Sequence, residues 1–402
     1  MKTSEEAAAR SLLSAKAVRQ RAHQMLKIGL DGGLADWRVD LSRLPAVADF
    51  VAEVVRQRYP DLNVPFHARW RHFLVDGHDL WADLGDWPDA AAKGRAAFDL
   101  AITSVLLDAG AGMAWRYCDE PTGTTTSRSE GLAIASFRLF ESGALSTTSD
   151  PLRADALETL TAETLAKGFQ VTPENPLVGL EGRAGLLRRL GAQAKARPDL
   201  FALNDAPRPG GLFDAMAARA ENGRLPAPVI LEVLLEALGP VWENRPSLGG
   251  VPLGDCWPHP AMPGDGFVPL HKLSQWLSYS LIEPLQWAGI EVYDIDGLTG
   301  LAEYRNGGLF FDMAVLVPTD STMAERPHAV SGPLVVGWRS LTVALLDELA
   351  PLVRDRLGLS AADFPLARLL EGGAWAAGRI TAKERRSDGG PPFTILSDGT
   401  VF

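Results

Sequence analysis

The run DIDGLTGLAEYRNGGLFFDMAVL (294–316) sets Glu303, Tyr304 and Arg305 in direct succession between two apolar stretches. Charged side chains in such surroundings need partners, because burying an unpaired charge is costly. Two readings stand open. The glutamate and arginine either form an internal ion pair that only braces the fold, or line a cavity in which a carboxylate does chemistry. A second set lies upstream. Lys272, Gln275 or Trp276, Tyr279 and Glu283 recur at three to four residues and share one helix face, while Leu273, Leu277 and Leu281 occupy another. A polar stripe with aromatics faces either water or a pocket.

Other groupings carry weaker signals. Asp255, Cys256, His259 and His271 can be assembled into a metal site on paper, but their spacing matches no closed tetrahedral pattern, and no metal or other cofactor is expected. Asp255 and Trp257 read better as pocket-loop residues, one a polar contact and the other an apolar wall. FHARWRHF (66–73) offers Arg69, Arg71 and His72 either as phosphate partners or as a helix-bracing face. Ser104, Cys118 and Cys256 have no identifiable base partner, which disfavours a covalent mechanism. Asp294 and Asp296 flank a turn before Gly297, where aspartate commonly makes local hydrogen bonds, and Asp312 is a further carboxylate.

The elements that must position these groups read as mostly helical. Apolar spacing predicts helices over 4–29, 44–58, 91–109, 151–167, 182–197, 228–238, 269–287 and 334–357, the last closed by Gly358. Ser127-Arg-Ser-Glu130 reads as a capping box opening a helix that stops at Gly143, and Thr3 with Glu6 as another at the start of the chain. The best strands are 307–318 (GGLFFDMAVLVP) and 393–402 (FTILSDGTVF). The expected class is therefore mainly α with a small β component. The chain reads as one domain over 1–402, with any division into lobes (1–210 and 211–402) at the Pro/Gly-rich stretch 206–212. Residues 246–270 form too long and irregular a segment for a mere connector, and long ordered loops are where sites sit.

Composition bounds the function. The 402 residues are 46% hydrophobic and 22% charged, as in an ordinary globular protein. A net charge of -11 argues against nucleic acid as a partner, since backbone binding needs a positive field, and favours a small-molecule substrate. Two cysteines do not make a disulfide framework. With no signal segment and no apolar run of membrane-spanning length, a cytoplasmic location and no membrane partner are expected. The oligomeric state is not legible.

The runs GVPLGDCWPHPAM, FVPLHKLSQWLSYSLIEPLQWAGI, DIDGLTGLAEYRNGGLFFDMAVLVP, LARLLEGGAWAAGR and SDGTVF resemble the uracil catabolism protein 4 family over essentially the whole chain. That resemblance implies a role in a pathway that opens the pyrimidine ring while it is still attached to ribose, leaving a ribosyl-urea type intermediate. Several segments are also distantly similar to the queuosine salvage nucleosidases, helical enzymes with a fold similar to DNA glycosylases. SVLLDAGAGMAWRY (104–117), SRSEGLAIASFRLFESG (127–143), FQVTPENPLVGLEGRAGLL (169–187), HKLSQWL (271–277) and LAEYR (301–305) carry that similarity. It implies that the catalytic lysine and aspartate of those enzymes fall on Lys272 and Glu303, one methylene longer. A tryptophan and an Asn-Phe pair fall on Glu130 and Gly110-Ala111, which implies a pocket without a stacking platform for a large base.

On that resemblance Glu303 serves the anomeric carbon and the attacking water, and Lys272 binds substrate oxygens or protonates the leaving group. Arg305 anchors a neighbouring carboxylate or a substrate phosphate. Tyr304, Asp108, Trp115, Asp255, Trp257 and Trp276 complete the expected substrate site. The expected activity is hydrolysis of the N-glycosidic bond of a ribosyl-urea, or its phosphate, without a cofactor. Two alternatives stay open: a protein that binds a pyrimidine-derived intermediate without turnover, and an amidohydrolase attacking the ureido carbonyl.

Overall fold

Amphipathic stretches of 12 to 25 residues dominate the chain, and in the computed structural model, which describes residues 4–396, they form helices joined by short two-stranded pairings. The class is mainly α with a small β component. The chain divides into two compact, discontinuous units. The first takes the described residues up to His67, Arg245–Gln275 and the described residues from Asp294 onward; the second takes Ala68–Asn244 and Trp276–Tyr293. The stretch 206–212 lies inside the second unit, where the Asp99 carboxylate holds Arg208 and the Gly210 N–H.

In the first unit the long helix Pro333–Leu357 packs against the helices Ala15–Leu30 and Leu44–Arg58. It ends where Gly358 turns left-handed at φ 70°. A short helix, Tyr304–Asp312, lies against Trp375–Arg385, which continues from a π-helical turn at Leu370–Ala374. The segment 246–270 folds into two small hairpins, Ser247–Leu248 with Val251–Pro252 and Cys256–Pro258 with Phe267–Pro269. Leu253 and Cys256 bury against Ala9 and Leu12.

In the second unit Ala90–Leu106 packs on Arg128–Glu141 and Gly211–Ala217. Glu291–Tyr293 pairs in parallel with Arg224–Pro226. The helix Lys272–Trp287 gives its first residues to one unit and the rest to the other.

Several local expectations are corrected. The segment 307–318 is not one strand: helix runs to Asp312, and only Leu316–Pro318 is extended, antiparallel to Trp37–Val39. The helix expected over 4–29 is two, Ser4–Ser11 and Ala15–Leu30, because the Ser14 hydroxyl accepts from the Ala17 N–H and starts a second helix. Over 151–167 only Ala162–Gly168 is α-helical, capped by Thr161. The box at Ser127 does not close: Arg128 takes a left-handed φ of 55°, and the Ser127 side chain makes no cap hydrogen bond. The strand expected at 393–402 is seen as Ile395–Leu396 beside His328–Ala329; its remainder from 397, like the Thr3 cap, lies outside the described residues.

One close approach fixes the geometry around Arg305. A Cβ on Gly378 would run into the Arg305 carbonyl oxygen, and would lie 2.8 Å from its carbonyl carbon. Gly378→Ala should therefore cost about 1–3 kcal/mol, as overpacking does, measured by urea denaturation. Gly182→Ala, where a Cβ meets nothing within 4 Å, should be neutral or stabilising by up to about 1 kcal/mol on the helix-propensity scale.

Candidate active site

The site in the first unit is built outward from Asp255. Its carbonyl accepts from the Leu270 and His271 N–H groups, closing the second hairpin onto the helix that follows. Its carboxylate accepts from the Lys272 N–H at 3.0 Å, from the Trp257 indole at 2.8 Å and from the two terminal nitrogens of Arg339 at 2.8 and 2.7 Å. Arg339 is buried in the long helix, and its Nε reaches the Ala302 carbonyl at 3.3 Å. Burial alone would push the Asp255 carboxyl up, but the Arg339 charge, with its hydrogen bonds and those from Trp257 and Lys272, holds it well below the ordinary carboxylate range. One ion pair thus ties the backbone at Lys272 to the peptide just before Glu303.

A second tie runs parallel to the first. The Gln275 side chain, one turn after Lys272, donates to the Thr299 hydroxyl at 2.8 Å and accepts from the Thr299 N–H at 3.4 Å. The first turn of one helix is thereby fastened to the segment leading into the next. Lys272 and Glu303 sit at the two fastened helix starts, and both are half-buried.

Glu303 caps the helix Tyr304–Asp312. Its backbone is extended, and its Oε2 accepts from the N–H groups of Arg305 at 2.9 Å and Asn306 at 3.3 Å. Among the described residues it makes no ion pair with the Arg305 guanidinium, so the internal Glu–Arg brace does not form. Arg305 is buried in the first helical turn, its guanidinium over the rings of Tyr304 at 5.0 Å and Trp375 at 5.6 Å.

The solvated reading of the 272–283 stripe also fails. Gln275, Trp276 and Tyr279 are buried, and Glu283 pairs with Arg71 at 2.6 Å. Within the second unit Trp276 lies under the Arg69 guanidinium at 5.5 Å, and Arg69 approaches Asp108 at 3.5 Å. The Ser129 hydroxyl donates to Asp108. That unit therefore gathers Asp108 and Trp276 around Arg69, while Trp115 is fully buried among Tyr117 and Phe169, its indole N–H donating to the Phe169 carbonyl.

The weaker candidates are committed elsewhere. The His271 ring donates to the Leu12 carbonyl, and His259 accepts from the Ala261 N–H. Among the described residues no three His, Cys, Asp or Glu side chains gather as metal ligands. Burial pushes the Cys256 thiol up. Asp296 holds Arg354 and the Leu366 N–H, Asp312 pairs with Arg386, and Ser104 is engaged by Arg69 and Ser136.

A family model described as "Protein of unknown function (DUF1688)" matches residues 11–402. Protein urg3 of Schizosaccharomyces pombe is 39% identical over 97% of this chain and 98% of its own length. Uracil catabolism protein 4 of Lachancea kluyveri is 37% identical over 92% and 93%. The chain belongs to this uracil catabolism protein 4 family.

Several residues that shape this site were not singled out from the sequence. Arg339 had a visible signal, a lone charge within the apolar run GPLVVGWRSLTVALL. Thr299 had none. Trp375 sits in the quoted LARLLEGGAWAAGR run, but nothing local says that it meets Arg305.

Removing one partner of the Asp255–Arg339 pair should be severe. Arg339→Met should cost about 3–5 kcal/mol, as breaking a buried pair does, read from denaturant unfolding. The native Asp255 carboxyl titrates below its unfolded counterpart near pH 4. Its stabilisation is complete above that pH and is lost as pH falls through the native value. Asp255→Asn should flatten the acid limb of the stability profile between about pH 5 and 2.

Proposed function

We propose that the chain hydrolyses the N-glycosidic bond of a ribosyl-urea type intermediate, or its phosphate, in uracil catabolism, and so releases urea. The printed name of the relative from Lachancea kluyveri supports the pathway. The observation that carries the chemistry is the fastening of the helix starts at Lys272 and Glu303 through Asp255, Arg339, Gln275 and Thr299. The likeness of HKLSQWL and LAEYR to the queuosine salvage nucleosidases supports the same two residues as a catalytic pair.

Cleavage of an N-glycosidic bond develops positive charge at the anomeric carbon and needs a base for the incoming water. Glu303 serves both needs. Its Oε2 is held by two helix N–H groups, which fixes the carboxyl plane. Its Oε1 takes the water. Lys272 hydrogen-bonds the ureido oxygen or delivers the proton that urea carries away as it leaves. The sugar cation then collects the hydroxyl from water, giving the free sugar and urea.

Product analysis on ribosylurea tests the reading. Free urea with ribose supports it; ammonia with carbon dioxide, or tight binding without product, overturns it. Glu303→Gln should lower turnover by about 10²–10⁴-fold, the share of a general base. Stability should change little, because the carboxamide oxygen still accepts the Arg305 N–H. Glu303→Asp should retain measurable activity, since aspartate is also a good helix cap. Intact turnover in Glu303→Gln would make the residue a cap and nothing more.

A further inference from the structure

Five arginines are buried among the described residues: Arg69, Arg183, Arg208, Arg305 and Arg339. Four have side-chain or carbonyl acceptors. Arg69 donates to Ser104 and lies by Asp108, Arg183 donates to the carbonyls of Leu107, Ala109 and Gly110, Arg208 pairs with Asp99 and Asp205, and Arg339 pairs with Asp255. Arg305, 7% exposed, is the exception: among the described residues its guanidinium has no hydrogen-bond acceptor and no carboxylate. Its nitrogens are not sealed off either, unlike the Nε atoms of Arg71, Arg208 and Arg368.

What surrounds Arg305 leaves its donors unused. The guanidinium carbon lies over the rings of Tyr304 and Trp375, a cation–π contact that engages no N–H donor in a conventional hydrogen bond. Arg379 stands over the same Trp375 ring at 5.0 Å. Glu371, on the π-helical turn before Trp375, accepts from the His67 ring at 2.7 Å and lies 3.8 Å from Arg58. Glu303 is turned to backbone N–H groups. Gly378 holds the Arg305 backbone in place. The Trp375 and Tyr304 side chains against it are half-buried and not fully enclosed.

A buried, pre-positioned fork of unpaired donors in a chain of net charge -11 is a site for an anion. We infer that Arg305 binds the phosphomonoester of a phosphorylated sugar substrate. In assigning the anion to the substrate, the inference rests on the nucleosidase reading. The spacing agrees with it: Arg305 is two residues from Glu303, so their anchor points lie within about 7 Å, and a pentose 5-phosphate bridges such a span from anomeric carbon to phosphate.

The test uses full-length protein and calorimetric titration with ribose 5-phosphate, inorganic phosphate and ribose. Ribose 5-phosphate should bind about 10- to 100-fold more tightly than ribose, the worth of one or two charge-assisted hydrogen bonds, and inorganic phosphate should compete with it. Arg305→Met should erase that preference; Arg305→Lys, which keeps the charge without the fork, should retain part of it. In turnover, the wild type should prefer phosphorylated over unphosphorylated ribosylurea in kcat/KM, and Arg305→Met should lose the preference. Equal wild-type binding of ribose and ribose 5-phosphate overturns the inference without needing a folded variant. So does a folded Arg305→Met that keeps the preference. Failure of the underlying reading looks different: the wild type binds ribose 5-phosphate as described and cleaves neither ribosylurea.

Discussion

The ion pair between Asp255 and Arg339 is the constraint on which the site depends. The two residues lie 84 positions apart, one between two small hairpins and the other in the long helix. Their pairing leaves few hydrogen-bonding sites idle. Asp255 also takes the Lys272 N–H and the Trp257 indole, and Arg339 also reaches the Ala302 carbonyl. A charged pair of this kind is weak evidence for net stability, because desolvation offsets much of the attraction. Its value here is positional. The residues it anchors stand beside Lys272 and Glu303, the pair proposed above to act on substrate, and small displacements of such groups would be expensive in rate.

Glu303 answers the question its sequence context raised in an unforeseen way. A glutamate beside an arginine in apolar surroundings invites an ion-pair reading, yet the carboxylate turns to the backbone N–H groups of the helix it precedes. A helix start offers unsatisfied donors. Filling two of them with one oxygen orients the carboxyl group while leaving the second oxygen for other work. The same turn frees the Arg305 side chain from its neighbour in sequence. Structural capping and chemistry are therefore compatible in Glu303, and substitution by glutamine separates them.

Legibility from sequence followed the range of the interactions involved. Helices with unbroken apolar spacing, 44–58, 228–238 and 334–357, match the observed Leu44–Arg58, Ala227–Leu238 and Pro333–Leu357 within a residue at each end. Caps were less secure, since Ser127 has the right residue types but a left-handed neighbour at Arg128. The polar stripe of the helix Lys272–Trp287 was correctly seen as a stripe, but its satisfaction by Thr299 and Arg71 came from partners distant in sequence. Trp115 shows what a motif match leaves out: the resemblance implies a substrate contact, while the structure adds a buried ring whose N–H donates to the Phe169 carbonyl, 54 residues away.

The misread strand at 307–318 shows how function and legibility are coupled. Two consecutive glycines, Gly307 and Gly308, in a nine-residue helix weaken its intrinsic propensity, and the aromatic and β-branched residues that follow favour extension. The helix forms because packing demands it. A Cβ on Gly307 would lie 2.6 Å from the Trp338 ring, whose indole N–H donates to the Gly307 carbonyl at 3.1 Å. Gly378 permits an equally close approach by the helix Trp375–Arg385. Residues chosen for tight contact, at the expense of local helix preference, hold the short helix against two neighbours. What is held in this way is its first turn, where Glu303 caps the helix and Arg305 meets Trp375. Local propensity was given up where packing holds the turn that carries Glu303 and Arg305, so a sequence reading built on propensity fails there.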